Sequence, residues 1–194
     1  AGAPPADFFA SLLQQSNGAQ IARSEIRDIP LGELHEFNGH IFTVEDGPNM
    51  DALVESLKSI GQLEPAIVRP RPAGGYELIA GHRRRRAHEL AGMTTMKCMV
   101  VNMDDDTAEQ AMMESNKHRP FIAPSIKAKI YEREMRLYER RQGRRTDLQT
   151  TSASDLPKLR WRDEIGKNWG VSGETVRQYI LLLQLAPPLL AAVD

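Results

Sequence analysis

The sequence predicts an α+β protein in two parts, a small mixed α/β domain followed by an all-α domain. Between residues 26 and 118, short apolar segments that suit strands alternate with segments of helical periodicity, which is typical of a compact mixed α/β fold. From Pro124 onward the composition changes to long polar segments that favour helices. We therefore predict one domain at residues 26–122 and a helical domain at residues 123–194.

The elements of the first domain follow from the spacing of its apolar residues. Apolar residues between turn signals predict strands at residues 26–31, 41–44, 66–69, 76–80 and 97–102. Apolar residues three and four positions apart predict helices at residues 50–60, 82–90 and 107–115. Gly61 and Gly92 follow the first two helices and are expected to end them, because glycine tolerates the left-handed conformation found at helix ends.

Residues 1–25 precede this domain and carry the apolar side chains of Phe8, Phe9, Leu12 and Leu13. Two interpretations stay open for this segment. It is either a short amphipathic helix that docks a partner or a frayed chain end.

The composition is that of an ordinary globular protein, with 41% hydrophobic and 26% charged residues over 194 positions. Because the net charge is -1, any affinity for nucleic acid must come from local patches. The single cysteine, Cys98, excludes an internal disulfide framework and lies in an apolar segment that suits a core. We find neither an apolar segment of the roughly 20 residues needed to cross a bilayer nor a secretory signal pattern, and we expect a cytoplasmic protein.

The most unusual segment is a run of four arginines, residues 83–86, which follows the predicted strand 76–80 and Gly81. A helix N-terminus already carries partial positive charge, so these guanidinium groups should repel one another unless an anion joins them. A phosphate chain suits this position, because backbone N–H groups and forked arginine donors both bind it. Glycine at the junction would allow a ligand to approach the backbone. A solvated basic helix face is the alternative.

The helical domain begins with a basic segment, residues 127–145, that has eight Lys or Arg against three Glu. Such a segment either follows a phosphate backbone or forms a solvated face. Residues 146–157 are rich in Ser, Thr and Asp and are predicted to form a linker.

A helix-turn-helix is predicted at about residues 160–185. A short helix from Asp163 to Trp169 is followed by a tight turn and a second helix that begins at Gly173, with Val176 and Ile180 facing the first helix. Polar residues at the start of the second helix are candidates for DNA contact: Ser172, which also caps the helix, Gly173, Glu174, Thr175, Arg177 and Gln178. Arg177 suits guanine and Gln178 suits adenine. A helical hairpin inside a structural bundle is the alternative.

Three segments in order resemble the motifs of the ParB family of partition proteins, in particular the branch of plasmids and integrating elements. Leu63–Arg69 is similar to the first nucleotide-pocket motif, and Gly81–Ala87 is similar to the motif G-E-R-R-x-R-A. Ser115–Arg119, followed by Pro124, is similar to E-N-x-x-R followed by the family's proline. The resemblance runs from about residue 26 to residue 193.

The resemblance implies a CTP-binding domain followed by a DNA-binding domain, and a C-terminal dimerisation domain that no segment of these 194 residues matches. In the family, CTP closes two subunits into a clamp on a palindromic centromere-like DNA site, and slow hydrolysis reopens the clamp. The implied partners are double-stranded DNA, a second copy of the chain and a ParA-type ATPase.

The resemblance also implies residue roles. The residues it places around CTP are Pro65, Ala66, Ile67, Val68, Ala80, Gly81, His82, Arg83, Arg84, Arg86, Ser115, Asn116 and Arg119. The residues it places around Mg²⁺, which prefers hard oxygen ligands, are Glu114, Ser115 and Asn116.

Two positions depart from the family motifs, because His82 and Ser115 each stand where the family has glutamate. These departures leave open whether the chain hydrolyses CTP weakly. They also leave open a transcriptional repressor that keeps the fold without a nucleotide switch. An enzyme of the same fold is disfavoured, because no general base or nucleophile stands beside residues 83–86. The acidic residues 104–106 are better explained as a loop before a helix N-terminus.

Overall fold

The structure is a computed structural model that describes residues 25–117, 119–143, 156–185, 189, 190, 192 and 194. The chain divides into two compact units, Ala1–His118 and Arg119–Asp194. The N-terminal segment that we considered for partner docking lies outside the described residues, apart from Glu25. Within the described part of the chain, no helix combines the length and the apolar character that crossing a membrane requires.

The first unit contains a mixed five-stranded sheet, which confirms the predicted α/β character. Its strands are β1 (Glu25–Pro30), β2 (Leu34–Glu36), β3 (Ala66–Pro70), β4 (Tyr76–Ala80) and β5 (Thr95–Val100). Their order across the sheet is β1-β5-β3-β4-β2. The β1–β5 and β3–β4 pairs are antiparallel, whereas β3–β5 and β2–β4 are parallel.

One predicted strand is wrong and one strand was missed. Residues 41–44 form no strand, although Phe42 is only 5% exposed, because an apolar residue can be buried from an extended loop without a pairing partner. The missed strand, β2, has three residues and a single apolar one, Leu34. It exists because Leu34, His35 and Glu36 pair with β4, a long-range partner that the local sequence does not reveal.

The core of the sheet is formed by side chains from all five strands. Its buried residues are Ile29, Leu34, Ala66, Val68, Leu78, Met96 and Cys98. Ile67 and Ile79 are also buried, and because successive side chains point to opposite faces, β3 and β4 are covered on both sides. Burial, with a smaller contribution from Asp28, raises the pKa of Cys98 to about 12, which confirms this cysteine as a core residue.

Among the described residues, the first unit also contains a short 3-10 helix (Leu31–Glu33) and three α-helices, α1 (Pro48–Ile60), α2 (His82–Leu90) and α3 (Asp105–Glu114). Met50, Val54 and Leu57 of α1 form a buried cluster with Ala87 of α2. Asp104 caps α3, because its carboxylate accepts a hydrogen bond of 2.9 Å from the backbone N–H of Thr107. Asp104 therefore precedes a helix N-terminus, as expected of the acidic residues 104–106, whereas Asp105 and Asp106 already lie in the first turn of the helix.

The second unit is helical, as predicted, and consists of α4 (Pro124–Gly143), α5 (Leu156–Trp169) and α6 (Gly173–Leu182) among the described residues. Tyr131 lies in its core, 2% exposed, with its ring edge-on to the rings of both Trp169 and Tyr179 at 5.6 Å between centroids. The indole N–H of Trp169 donates to Glu134 at 2.9 Å. These contacts join α4 to the end of α5 and to α6.

The start of α5 corrects two predictions. The first helix of the helix-turn-helix begins at Leu156, well before Asp163. The end of the predicted linker, residues 156–157, therefore belongs to a helix, and residues 146–155 lie outside the described part. Pro157 explains the error, because a proline suits the first turn of a helix but also marks loops.

Candidate functional site

Gly81 connects β4 to α2 and has a φ angle of 111°. A Cβ atom at this position would lie 2.8 Å from Cβ of Ala66 on the neighbouring strand β3. The glycine is thus required both by its left-handed backbone conformation and by tight packing. Our expectation that it serves the approach of a ligand is not needed to explain it.

Two of the four arginines are neutralised by carboxylates from distant segments. Arg84 donates to the carboxylate of Glu64 and, at 3.3 Å, to the carbonyl oxygen of Pro65. Arg86 donates to both carboxylate oxygens of Asp46, at 3.0 and 2.6 Å. These hydrogen bonds lower the pKa of Asp46 and raise the pKa of Arg86.

The remaining two arginines differ from each other. Arg85 lies 3.2 Å from Glu89 and 3.7 Å from Glu36. Within the described part of the chain, Arg83 forms no ion pair, and its guanidinium donates a hydrogen bond to the carbonyl oxygen of Asn49 at 3.4 Å. The expectation that the whole run needs an external anion is therefore wrong for three of the four arginines, which the chain's own carboxylates neutralise.

The N-terminus of α2 is nevertheless suited to an anion. Among the described residues no side chain caps it, and its first turn contains no acidic residue. Its first intrahelical hydrogen bond runs from the N–H of Arg85 to the carbonyl of Gly81, so the partial positive charge of the helix end is not offset by a carboxylate of that turn. Arg83 adds a full positive charge at the same place, and this combination fits a phosphate group.

Residues 66–68 and Ala80 do not line a site with their side chains. Ala66, Ile67 and Val68 are at most 4% exposed and Ala80 is 9% exposed, because all four lie in the sheet. They place the carbonyl oxygen of Pro65 within 3.3 Å of the Arg84 guanidinium. Side chains buried this far offer little surface to a ligand, and the expectation that these residues surround CTP stays a prediction.

The predicted magnesium ligands are engaged within their own turn at the end of α3. The Ser115 hydroxyl and the Asn116 amide both donate to the carbonyl of Met112, at 2.9 and 2.7 Å. Glu114 forms an ion pair of 3.3 Å with Lys117. The oxygen donors suit Mg²⁺ chemically, but the single carboxylate must first be released by Lys117.

Glu36 and His40 lie beside His82, and the sequence did not single them out. The ring of His40 stacks on the ring of His82, the first residue of α2, at 3.6 Å between centroids and 24° between planes. Together with Glu36 they are the one group of three potential metal ligands among the described residues, with ligand atoms within 4.8 Å of one another. The sequence offered little signal for this, because the three residues come from three separate segments.

The helix-turn-helix is built on a tight turn with two glycines at close contacts. Gly170 has a φ angle of 66°, and the N–H of Val171 donates to the carbonyl of Gly166 at 2.8 Å, a Schellman-type end for α5. A Cβ on Gly166 would lie 2.6 Å from the carbonyl oxygen of Val171, and one on Gly173 would lie 2.4 Å from Asp163. Glycine at position 166 is what allows α6 to begin directly against α5, because the atom it meets is backbone, whereas the Asp163 side chain opposite Gly173 can move.

The predicted DNA-contacting residues lie at the start of α6. Ser172 caps the helix by accepting from the N–H of Thr175 at 3.1 Å, and the two hydroxyl groups share a hydrogen bond of 2.8 Å. Arg177 pairs with Glu174 at 2.8 Å. Ser172, Glu174, Arg177 and Gln178 are exposed, whereas Gly173 and Thr175 are partly buried. The first two turns of α6 therefore present several polar side chains to solvent.

The opposite face of α6 packs into the unit. Val176 is fully buried and Ile180 is partly buried, as expected for residues that face the interior. Residues 127–143 of the basic segment lie in α4, in which Arg136 is 60% exposed and pairs with Glu132. Arg119, which we assigned to CTP, is the first residue of this second unit.

Comparison with known proteins identifies a family and several relatives of this chain. The model of the ParB N-terminal domain family matches residues 15–117. The nucleoid occlusion protein of Geobacillus thermodenitrificans is 30% identical over 68% of this chain and 47% of its own length. A probable plasmid-partitioning protein ParB of Xylella fastidiosa is 39% identical over 47% of this chain and 23% of its own length. The chain thus spans about half the length or less of these curated relatives.

A solved structure supports the same fold. The C-terminally truncated chromosome-partitioning protein ParB of Caulobacter crescentus, complexed to the centromeric parS site, matches with a TM-score of 0.55 and 24% identity. The match covers 85% of this chain and 75% of that one. Since the family model spans more than half of the sequence, this chain belongs to the ParB N-terminal domain family.

Proposed function

We propose that this chain is a CTP-gated, sequence-specific DNA-binding partition protein that closes as a dimeric clamp on a palindromic, centromere-like site. Its membership of the ParB N-terminal domain family and its relatives named for plasmid and chromosome partitioning support this function. The observation that carries the proposal is the uncapped N-terminus of α2, where Arg83 forms no ion pair with a described residue. An end of this kind is suited to the anionic tail of a nucleotide.

The proposed nucleotide site uses residues on both sides of Gly81. Arg83 and the backbone at the start of α2 would hold phosphate oxygens, and Arg84 would join them by exchanging Glu64 for a phosphate, a bidentate partner that matches its forked donors. The backbone of residues 65–68 would border the base. Oxygen atoms of residues 114–116 would hold Mg²⁺ once Lys117 releases Glu114. CTP would act as a switch ligand, favouring the conformation that binds it more tightly.

The proposed DNA reader is the start of α6. Arg177 would leave Glu174 to pair with guanine, and Gln178 would read adenine in the major groove. The fold neighbour from Caulobacter crescentus was solved with its centromeric parS site, which supports DNA as the partner of this fold. A second copy of the chain would supply the other half-site of a palindrome. A ParA-type ATPase is the further partner we expect, in the cytoplasm.

Calorimetric titration with CTP, UTP, ATP and GTP in the presence of Mg²⁺ tests the nucleotide proposal. We expect binding of CTP alone and loss of that binding in Arg83→Ala, because Arg83 is the arginine not committed to a carboxylate. Arg27→Ala is the matched control, since Arg27 is an exposed arginine of β1 paired with Glu25. Equal responses to all four nucleotides, or none, would contradict CTP gating.

DNA binding is tested by a footprint on DNA of the source replicon, followed by affinities for single-base variants of the protected site. We expect Arg177→Ala to reduce discrimination at one base position by about 1–3 kcal/mol. Arg136→Ala, which removes an exposed arginine of α4, should weaken binding to all sites alike or leave it unchanged. If Arg177→Ala keeps the sequence preference of the parent, Arg177 is not a base reader.

A transcriptional repressor without a nucleotide switch is the second candidate. It is favoured by one observation, that the chain's own carboxylates already neutralise three of the four arginines. The two candidates differ in their response to CTP. A repressor would bind its DNA site with the same affinity and residence time with and without CTP, whereas a clamp would not.

A further inference from the structure

Three potential metal ligands lie close together beside the first turn of α2. None of them is one of the predicted magnesium ligands, residues 114–116. Glu36 is the last residue of β2, His40 lies in the loop that follows, and His82 is the first residue of α2. One ligand atom of each lies within 4.8 Å of the other two. Tetrahedral zinc ligands lie about 3.3 Å apart, given bonds of about 2.0–2.1 Å. Side-chain rotations of the exposed Glu36 and the half-buried histidines would bring the ligand atoms from the observed separations to those of a zinc site.

The loop holds His40 in place for this role. Gly39 has a φ angle of 106°, and the N–H of His40 donates to the carbonyl of Phe37 at 3.0 Å, which closes a turn after β2. The His40 ring also contacts Phe42 at 6.0 Å between centroids, and Phe42 is buried. The turn and the aromatic contact direct His40 towards His82, with which it stacks.

The ion pairs around the site allow Glu36 to turn to a metal ion. Glu36 is only loosely paired with Arg85, at 3.7 Å, and Arg85 keeps its closer partner Glu89 at 3.2 Å. A divalent ion would add positive charge to a helix end that is already positive. We therefore expect its remaining coordination position to take an anion or a water that loses a proton readily, as three-ligand zinc sites do.

We propose that Glu36, His40 and His82 bind a divalent transition-metal ion of the Zn²⁺ class. Imidazole nitrogens suit Zn²⁺, Ni²⁺ and Cu²⁺, whereas Mg²⁺ and Ca²⁺ prefer oxygen ligands, so two histidines select against the ions of a phosphate site. The bound ion would tie the loop of residues 37–47 to the first turn of α2.

Calorimetric titration of the full chain, free of any histidine tag, with ZnCl₂ and separately with NiCl₂ tests the proposal. We expect one ion per chain, and a loss of affinity of at least about tenfold in each of His40→Ala, His82→Ala and Glu36→Gln, because even residues that only orient a ligand contribute that much. Mg²⁺ in excess should not displace the ion. The measurement needs neither nucleotide nor DNA, so its outcome is independent of the proposed function.

His35→Ala is the matched control, since His35 is an exposed histidine of β2 outside the group, and it should bind as the parent does. Far-UV circular dichroism in EDTA checks that each variant is folded. If His82→Ala is not folded, the metal affinities of His40→Ala and Glu36→Gln test the proposal. Absence of binding by the parent, or parental affinity in the folded variants, would overturn the proposal.

Discussion

The two helices to which we assign binding, α2 and α6, are stabilised at their N-termini in opposite ways. In α6 the cap is local, because Ser172 accepts from the N–H of Thr175 three residues away. In α2 there is no side-chain cap, and the partner of Arg86, Asp46, lies 40 residues earlier in the chain. The start of α6 is therefore prepared by its own sequence, whereas the start of α2 depends on tertiary structure.

This difference bears on how each site responds to change. The exposed face of α6 keeps its arrangement as long as α5 and the turn are intact. The charges of α2 are balanced by carboxylates on loops and strands, so a change in a loop alters the site without touching an arginine. Such an arrangement suits a site that must exchange its internal carboxylates for an external anion.

The largest loss of stability is expected for a substitution at the turn between α5 and α6. A Cβ at Gly166 would meet the carbonyl oxygen of Val171 at 2.6 Å, and backbone cannot rotate away as a side chain can. We expect Gly166→Ala to lower the free energy of unfolding of the second unit by about 3 kcal/mol. Trp161 and Trp169, the two tryptophans of the chain, both lie in this unit, so denaturant unfolding followed by tryptophan fluorescence measures it.

Gly170→Ala is the matched control for that change. Gly170 has a φ angle of 66° but open space around its Cβ position, so only the left-handed strain of about 1 kcal/mol applies. Similar losses in both variants would show that close packing of the turn is not what defines the helix-turn-helix.

A smaller loss of stability is expected for a substitution of Gly81, which joins β4 to α2. In Gly81→Ala the new methyl group would meet Ala66 at 2.8 Å at a φ angle of 111°, and we expect a loss of about 2 kcal/mol in the first unit. Gly92→Ala is the matched control, because Gly92 has a φ angle of 72° with no described atom within 4 Å of its Cβ position, and it should cost about half as much. Amide hydrogen exchange of β3, β4 and α2 measures both, because this unit has no tryptophan. A Gly81→Ala cost no greater than that of Gly92→Ala would refute the role of the Ala66 contact.

The local cap of α6 contributes less than either glycine. Ser172→Ala removes the acceptor for the N–H of Thr175, and we expect a loss of about 1 kcal/mol in the second unit. Ser172→Thr retains a capping hydroxyl and should remain close to the parent. The measurement is again tryptophan fluorescence in denaturant. If Ser172→Thr loses as much as Ser172→Ala, the serine acts through something other than its cap.

The smallest effect concerns the exposed pair of Asp46 and Arg86. Because Arg86 lowers the pKa of Asp46, the pair stabilises the folded state above the unfolded aspartate pKa and loses this contribution as the pH falls through the folded value. We expect the parent to melt slightly higher than Asp46→Asn at neutral pH, and the gap to close below about pH 4. Thermal unfolding of both proteins across this range measures it. A gap that does not change with pH would mean that the carboxylate charge plays no part.

The local sequence pattern was sufficient to predict an element where helical spacing, a glycine turn or a capping residue marks its ends. The limits of α1 and β4 and the start of α6 lie within two residues of the prediction, because helical spacing and glycine turns mark them. Val176 was expected to face inwards and Cys98 to lie in the core, and both are buried. Asp104 was correctly placed before a helix N-terminus, since a capping carboxylate needs only a neighbour three residues away.

Partner choice between distant segments was not predictable. The repulsion expected among the four arginines ignored Glu64 and Asp46, which reach them from segments 20 and 40 residues earlier. The stacking of His40 on His82 was missed for the same reason. A charged or aromatic side chain has no local signature of the side chain that it will meet.

The sequence by itself determined most of the strands and helices, that an arginine run opens a helix after a glycine, and that a capped polar helix follows a tight turn. These depend on interactions over three or four residues, which the order of side chains specifies directly. Only the tertiary structure decided which carboxylates neutralise the arginines, that Gly81 serves packing against Ala66, and that Glu36, His40 and His82 meet. Such contacts depend on how the sheet is ordered and where its loops return, and that is set by the packing of the whole unit.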